Sequence, residues 1–237
     1  MNEKMYEKMV EMFALQQRLN DETNGPVWRE GVTDRGKTVN WRRCIVMETA
    51  ELIDSFPWKH WKSVDGGIDL ENIKIETVDI WHFVMSYILR FHTPKEAAEL
   101  AIETMREAKI RLPERWSAQE NGQLDDYLAP FEDLMALALV KDDSKAFQVA
   151  LLEKFWEVAD TVGMDVDELY RLYIGKNALN QFRQRHGYKE GTYAKIWNGK
   201  EDNVVMQEIL RKNPDIGYDE LLEALETEYA KVEGVKA

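Results

Sequence analysis

Apolar residues return at every third or fourth position through most of this 237-residue chain, and runs of alternating apolar residues are scarce. Spacings of three and four keep side chains on one face of a 3.6-residue helix, whereas a half-buried strand needs a spacing of two. Met5, Met9, Met12, Leu15 and Leu19 form one such face over about 3–20. Turn signals follow at Asn24-Gly25-Pro26 and from Gly31 through Gly36. Asn40 can cap a second helix over about 41–55, which must end by Pro57. Asp65-Gly66-Gly67 then leads to a third over about 70–91. Thr93-Pro94-Lys95-Glu96 joins a capping box to a Pro at the first helical position, and that helix is expected to reach about Lys109. A polar connector from Arg111 to Gln123 precedes helices over about 125–140, 143–162 and 165–185. His186 to Lys200, rich in Gly, Lys and Tyr, reads as an ordered loop, and helices over about 201–212 and 218–232 close the chain. With no internal repeat, no low-complexity tract and no long linker, the expectation is a single all-α domain over 1–237.

The net charge of −13 argues against stable nucleic-acid binding and against an anionic membrane surface, because both attract positive proteins. It leaves room for a small phosphorylated substrate served by a metal and a few local cations. The one cysteine, Cys44, excludes an intramolecular disulfide and fits a reducing cytosol. No segment approaches the roughly 18 apolar residues of a membrane span, and the N-terminus lacks the apolar core of a signal peptide. A soluble cytoplasmic protein is expected.

Two acidic pairs interrupt the apolar stripes: Glu48-Thr-Ala-Glu51 and Glu76-Thr-Val-Asp79. Each sets two carboxylates one helical turn apart. Glu48 falls between the stripe residues Trp41, Ile45 and Leu52, and Glu76 falls within the stripe of Ile73, Ile80, Val84 and Tyr87. A carboxylate facing a core must be neutralised. Salt bridges to Arg42, Arg43 or Lys74 would do so, as would a divalent cation. Carboxylate oxygens select Mg²⁺, with Mn²⁺ as a substitute, over softer metals. The histidines show no zinc spacing.

Three further constellations stand out. Lys176, Asn180 and Arg183 step along one helix face at spacings of four and three, with Lys189 and Lys195 in the loop beyond. In so acidic a chain they form either a solvated face or a phosphate grip. Gln17 and Asn20, three apart, offer amides that match the mixed donor–acceptor edge of a nucleobase, though taken alone they read better as an ordinary polar surface. Trp58 and Trp61, just past the first acidic pair, could stack on a base or fill a core.

Taken together, Leu15-Gln-Gln-Arg-Leu-Asn-Asp-Glu-Thr-Asn-Gly25, Trp41-Arg-Arg-Cys44, Met47-Glu-Thr-Ala-Glu-Leu-Ile-Asp-Ser-Phe-Pro-Trp-Lys-His-Trp61, Glu76-Thr-Val-Asp-Ile-Trp-His-Phe83 and Tyr173-Ile-Gly-Lys-Asn-Ala-Leu-Asn180 resemble the dimeric all-α dUTPases. The stretch from Phe182 to Asn203 is also similar, and the blocks match in order and spacing, while about 92–165 carries little of the signal. That family belongs to a wider group of all-α nucleoside triphosphate pyrophosphatases.

The resemblance implies a helical-bundle pyrophosphatase core with additional C-terminal helices. It implies a homodimer that hydrolyses dUTP to dUMP and pyrophosphate, and dUDP to dUMP and phosphate. Glu48, Glu51, Glu76 and Asp79 would be the Mg²⁺ ligands. A metal-activated water would attack the α-phosphorus, with Glu48 or Glu51 orienting or deprotonating it. Lys176, Asn180, Arg183, Tyr188, Lys195 and Asn203 would hold sugar and phosphate. Gln17 and Asn20 would read the uracil edge between walls of Trp61 and Phe83. A relative preferring dCTP or several dNTPs would keep all four carboxylates, and a helical regulatory binding protein would not need them.

Overall fold

The structure, a computed structural model, describes residues 3–62, 67–113 and 115–232. The Asp65-Gly66 part of the expected connector lies outside the described residues. The chain divides into two compact units, Met1–Val166 and Asp167–Ala237. It is all-α, apart from one two-stranded hairpin among the described residues.

The first unit holds α1 (Glu3–Asn24), α2 (Trp41–Ile53), α3 (Leu70–Ile88), α4 (Pro94–Glu103), the short α5 (Ala118–Asn121), α6 (Leu124–Ala138) and α7 (Lys145–Thr161). Side chains close the helix starts: Asn40 accepts from the Arg43 N–H, Asp69 from Asn72, and Ser144 from Phe147. Thr93 and Glu96 complete the expected capping box. α3 is the central helix. It packs against α2, α7 and α1, while α6 bridges α2 and α7 and α4 covers α1. From Ile80 to Ile88 only Phe83, one turn beyond Asp79, is not buried, as expected of a helix walled on several sides.

Trp81 anchors that centre. Its ring stacks on Phe155 of α7 at 4.5 Å and 20°, with Trp156 at 5.4 Å and Phe13 of α1 edge-on at 5.6 Å. The middle of the chain, weak in sequence signal, therefore supplies the wall behind α3.

Two local departures have identifiable causes. α4 ends at Glu103, not near Lys109. Asp160 of α7 accepts from the Ala108 N–H at 2.7 Å and pairs with Arg111 at 2.6 Å, and the Leu112 N–H donates to the Thr161 carbonyl at 2.7 Å. These contacts draw the chain out of the helix and onto the end of α7. The loop after α1 contains a 3-10 turn, Trp28–Glu30. There Trp28 is fully buried, and its indole N–H donates to Asp21 at 2.7 Å.

The second unit comprises α8 (Val166–Arg185), β1 (Ile196–Trp197), β2 (Lys200–Glu201), α9 (Asp202–Lys212) and α10 (Tyr218–Tyr229). The expected ordered loop thus contains a hairpin. Its two turn residues, Asn198 (φ 49°) and Gly199 (φ 85°), both adopt the left-handed backbone that a two-residue hairpin requires. Phe182 holds the loop down: His186 stacks on it at 3.9 Å, and Trp197 and Tyr229 lie 5.6 and 5.2 Å from it. Among the described residues no helix is long and apolar enough to cross a membrane.

At Gly175, α8 and α9 come very close. A Cβ there would sit 2.6 Å from Met206 Sδ and 2.7 Å from Leu210 Cδ1. Gly175→Val is therefore expected to destabilise the fold by about 1–3 kcal/mol through overpacking. Gly175→Ala should cost less, because two flexible side-chain tips can shift and Ala gains about 1 kcal/mol of helix propensity. Urea unfolding of both variants checks the order.

Candidate active site

The acidic pairs are placed by the residues between them. Thr49 and Thr77 are fully buried. Each hydroxyl donates to a carbonyl four residues back, Ile45 at 2.7 Å and Ile73 at 2.8 Å, so neither needs a partner across the helix interface. With each threonine turned inward, the preceding glutamate sits at the border of the buried face. Glu48, Glu76 and Asp79 are half-buried, and each offers a carboxylate oxygen within 4.8 Å of the other two. Oxygens about 2.1 Å from one octahedral Mg²⁺ stand about 3–4 Å apart, so these three carboxylates fit a hard cation with small adjustments.

Glu51 is not in that trio. It is exposed on α2 and lines a shallow open groove of about 350 Å³ with Met47, Ala50, Asp54, Asn72 and Glu76. Glu76 thus belongs to both the cluster and the groove. Arg42, one of the sequence candidates for neutralising these acids, turns instead to the 140–143 loop, donating to the carbonyls of Val140 and Asp142 at 3.1 Å. Burial, then the charge of Glu48, pushes the Cys44 thiol above its ordinary pKa, so it stays protonated at neutral pH.

Between α1 and α3 lies a polar network that the sequence only half revealed. Asn20 is buried and meets Gln16, not Gln17. The Gln16 amide donates to Asn20 Oδ1 at 3.2 Å and to Ser86 Oγ at 2.9 Å, and the Asn20 amide donates to Ser86 Oγ at 3.0 Å. Gln16 Oε1 lies 2.6 Å from His82 Nδ1, which gives that ring nitrogen the proton. Gln17 faces elsewhere: its oxygen accepts from Arg29 Nη2 at 2.6 Å, and Arg29 also bonds the Leu89 carbonyl at the end of α3. A spacing of four, rather than three, was the signal that would have found Gln16. His82 and Ser86 share that spacing on α3.

The two expected base walls have separate neighbours. Trp61 is 62% exposed and lies edge-on to Trp58 at 5.5 Å and to His60 at 4.9 Å. Phe83 is half-buried and stacks on Trp41 at 6.0 Å and 27°.

The basic set lies in the second unit. Lys176 is buried, and its Nζ donates to Asn203 Oδ1 at 3.1 Å. Arg183 donates to Asn180 at 3.2 Å, passes over the Tyr188 ring at 5.9 Å, and pairs through Nε and Nη2 with both oxygens of Asp202 at 2.8 Å. Lys195 is half-exposed and 3.8 Å from Glu201, and its carbonyl accepts from the Asp202 N–H at 3.0 Å. Asp202, and Tyr193 which donates to it at 2.8 Å, were not read from the sequence.

Burial pushes the Asp202 carboxyl up, but the bonds and charge of Arg183 outweigh it and hold its pKa below the ordinary value. A folded pKa below the unfolded one contributes stability that is present above about pH 3.9 and is lost as pH falls through the folded value. The stability gap between wild type and Asp202→Asn should thus be full at pH 7 and narrow below about pH 4. Thermal midpoints measured across that range test it.

The family model described as dUTPase matches residues 8–188. A search of curated proteins finds no match. The match spans both acidic pairs, the buried amide network and all of α8. This chain belongs to the dUTPase family.

Proposed function

We propose that this dUTP diphosphatase works with Mg²⁺ held by Glu48, Glu76 and Asp79, with Glu51 as a further ligand, and that it also converts dUDP to dUMP and phosphate. The convergence of three carboxylates on two packed helices carries the reading. Bound Mg²⁺ would offset phosphate charge and lower the pKa of water. Glu48 or Glu51 would take the proton of the attacking water. Lys176, Asn180, Arg183, Tyr188, Lys195 and Asn203 would hold sugar and phosphates, as cations and amides suit those oxygens. Trp61 and Phe83 would wall the base. We also read the enzyme as a cytoplasmic homodimer. Its exposed apolar residues, Leu139 at 67% and Val140 at 48% among them, support a covered surface. The test is turnover of dUTP, dUDP, dCTP, dTTP and UTP with Mg²⁺ or EDTA. Metal-dependent turnover of dUTP and dUDP alone is expected, and preferred turnover of dCTP would overturn the base assignment.

Base reading is assigned to Asn20 and Gln17, with Gln16 and His82 added on the strength of the network they form. Uracil offers an acceptor at O4 and a donor at N3, and cytosine reverses both. Amides fixed by hydrogen bonds can reject the reversed pattern, because mismatched buried partners go unpaired. Gln16→Leu is expected to raise KM for dUTP about tenfold and to weaken discrimination against dCTP, since it leaves His82 and Asn20 short of partners. Gln17→Leu should weaken base discrimination less than Gln16→Leu does and should also cost stability, because it releases Arg29. Competition between dUTP and dCTP separates the two.

A further inference from the structure

The two α8 cations of the proposed phosphate grip are each held by one of the first two residues of α9. Lys176 bonds Asn203, and Arg183 bonds Asp202 through two parallel contacts. Asp202 is fully buried. A carboxylate cut off from water persists only where donors surround it. Besides Arg183, it accepts from the Tyr193 hydroxyl at 2.8 Å and from the Asn203 backbone N–H at 2.8 Å. Tyr193 is itself pinned, its ring stacked on Tyr229 of α10 at 5.4 Å and 20°. The Asp202 carboxylate is therefore immobile, and its two-point contact fixes the plane of the Arg183 guanidinium. An arginine ordered beforehand loses less rotamer freedom when its ligand arrives than a solvated one does.

We propose that Asp202 is a positioning residue for the substrate phosphates, acting only through Arg183, with Tyr193 as its anchor. The inference rests on the reading that Arg183 contacts the phosphates. It predicts an effect opposite in sign to simple electrostatics. Removing a negative charge beside a phosphate site would by charge alone lower KM, whereas loss of positioning raises it.

The experiment measures steady-state kinetics of the full chain with dUTP and Mg²⁺ for Asp202→Asn, Arg183→Gln, the double variant and Tyr193→Phe. Inhibition by deoxyuridine, which carries no phosphate, reports whether the base site is intact. Asp202→Asn is expected to raise KM about tenfold, with kcat within twofold of wild type and deoxyuridine inhibition unchanged. The double variant should be no worse than Arg183→Gln alone, the non-additivity of residues that act as one unit. Tyr193→Phe, the milder change should Asp202→Asn fold poorly, should raise KM two- to fivefold. If Arg183→Gln impairs KM while Asp202→Asn and Tyr193→Phe leave it unchanged or lower it, the positioning role falls and the phosphate reading stands. Additive losses in the double variant also overturn the role. If Arg183→Gln itself leaves KM unchanged, the phosphate reading of Arg183 fails and the proposal with it.

Discussion

Glu76→Gln is expected to lower kcat for dUTP on the order of 10³-fold without unfolding the protein. Glu76 is the one residue that belongs both to the carboxylate trio and to the groove lined by Glu51. The amide keeps the size of the side chain but removes the charge a hard cation requires. A catalytic metal contributes several kcal/mol of charge stabilisation, and each 1.36 kcal/mol is tenfold in rate, so about 4 kcal/mol corresponds to the loss expected. Without metal, carboxylates so close repel one another. The variant's thermal midpoint in EDTA should then equal or exceed that of wild type, a common trade between stability and function. Rates with Mg²⁺ and melting curves with EDTA check both halves.

Trp81→Ala should be the most destabilising change of those considered, by about 3–5 kcal/mol. The ring is fully buried and touches α1 and α7 at once, through Phe13, Phe155 and Trp156. Its removal leaves a cavity at the centre of the first unit and unties α3 from the wall behind it. Glu76 and Asp79 stand on that helix five and two residues before Trp81, so activity should be lost along with stability. Trp81→Phe retains an aromatic stack and should cost less than half as much. Chemical denaturation of the two variants, with residual dUTP turnover at low temperature, measures the effect.

The helical fold was legible because its signals were local. Apolar stripes, the Asn40 cap and the Thr93 capping box each specify a helix from a few adjacent residues, and α2, α3 and α7 to α10 begin within two residues of expectation. What was not legible depended on distant partners. The early end of α4 is set by Asp160, more than fifty residues on, and no spacing around Lys109 encodes it. The hairpin at Asn198-Gly199 was a readable two-residue turn, masked by the short strands on either side.

The site divides along the same line. Glu48, Glu76 and Asp79 could be read from periodicity, because helix phase fixes which side chains reach the border of a buried face. Periodicity also singled out Glu51, yet phase alone could not say that it lies outside the trio, since that depends on how α2 and α3 cross. The amide partner of Asn20 turned on a choice between spacings of three and four, and only the placement of Ser86 and His82 on α3 makes Gln16 the answer. Arg183 was visible as a cation, but its tie to Asp202 joins the two ends of a nineteen-residue separation.

The most direct test of the account is the affinity of the purified chain for Mn²⁺, followed by electron paramagnetic resonance in wild type and in Glu48→Gln, Glu76→Gln and Asp79→Asn. One carboxylate-dependent site is expected, its affinity falling at least tenfold in each variant, in parallel with the loss of dUTP hydrolysis. Unchanged Mn²⁺ binding in all three, with hydrolysis intact, would contradict it.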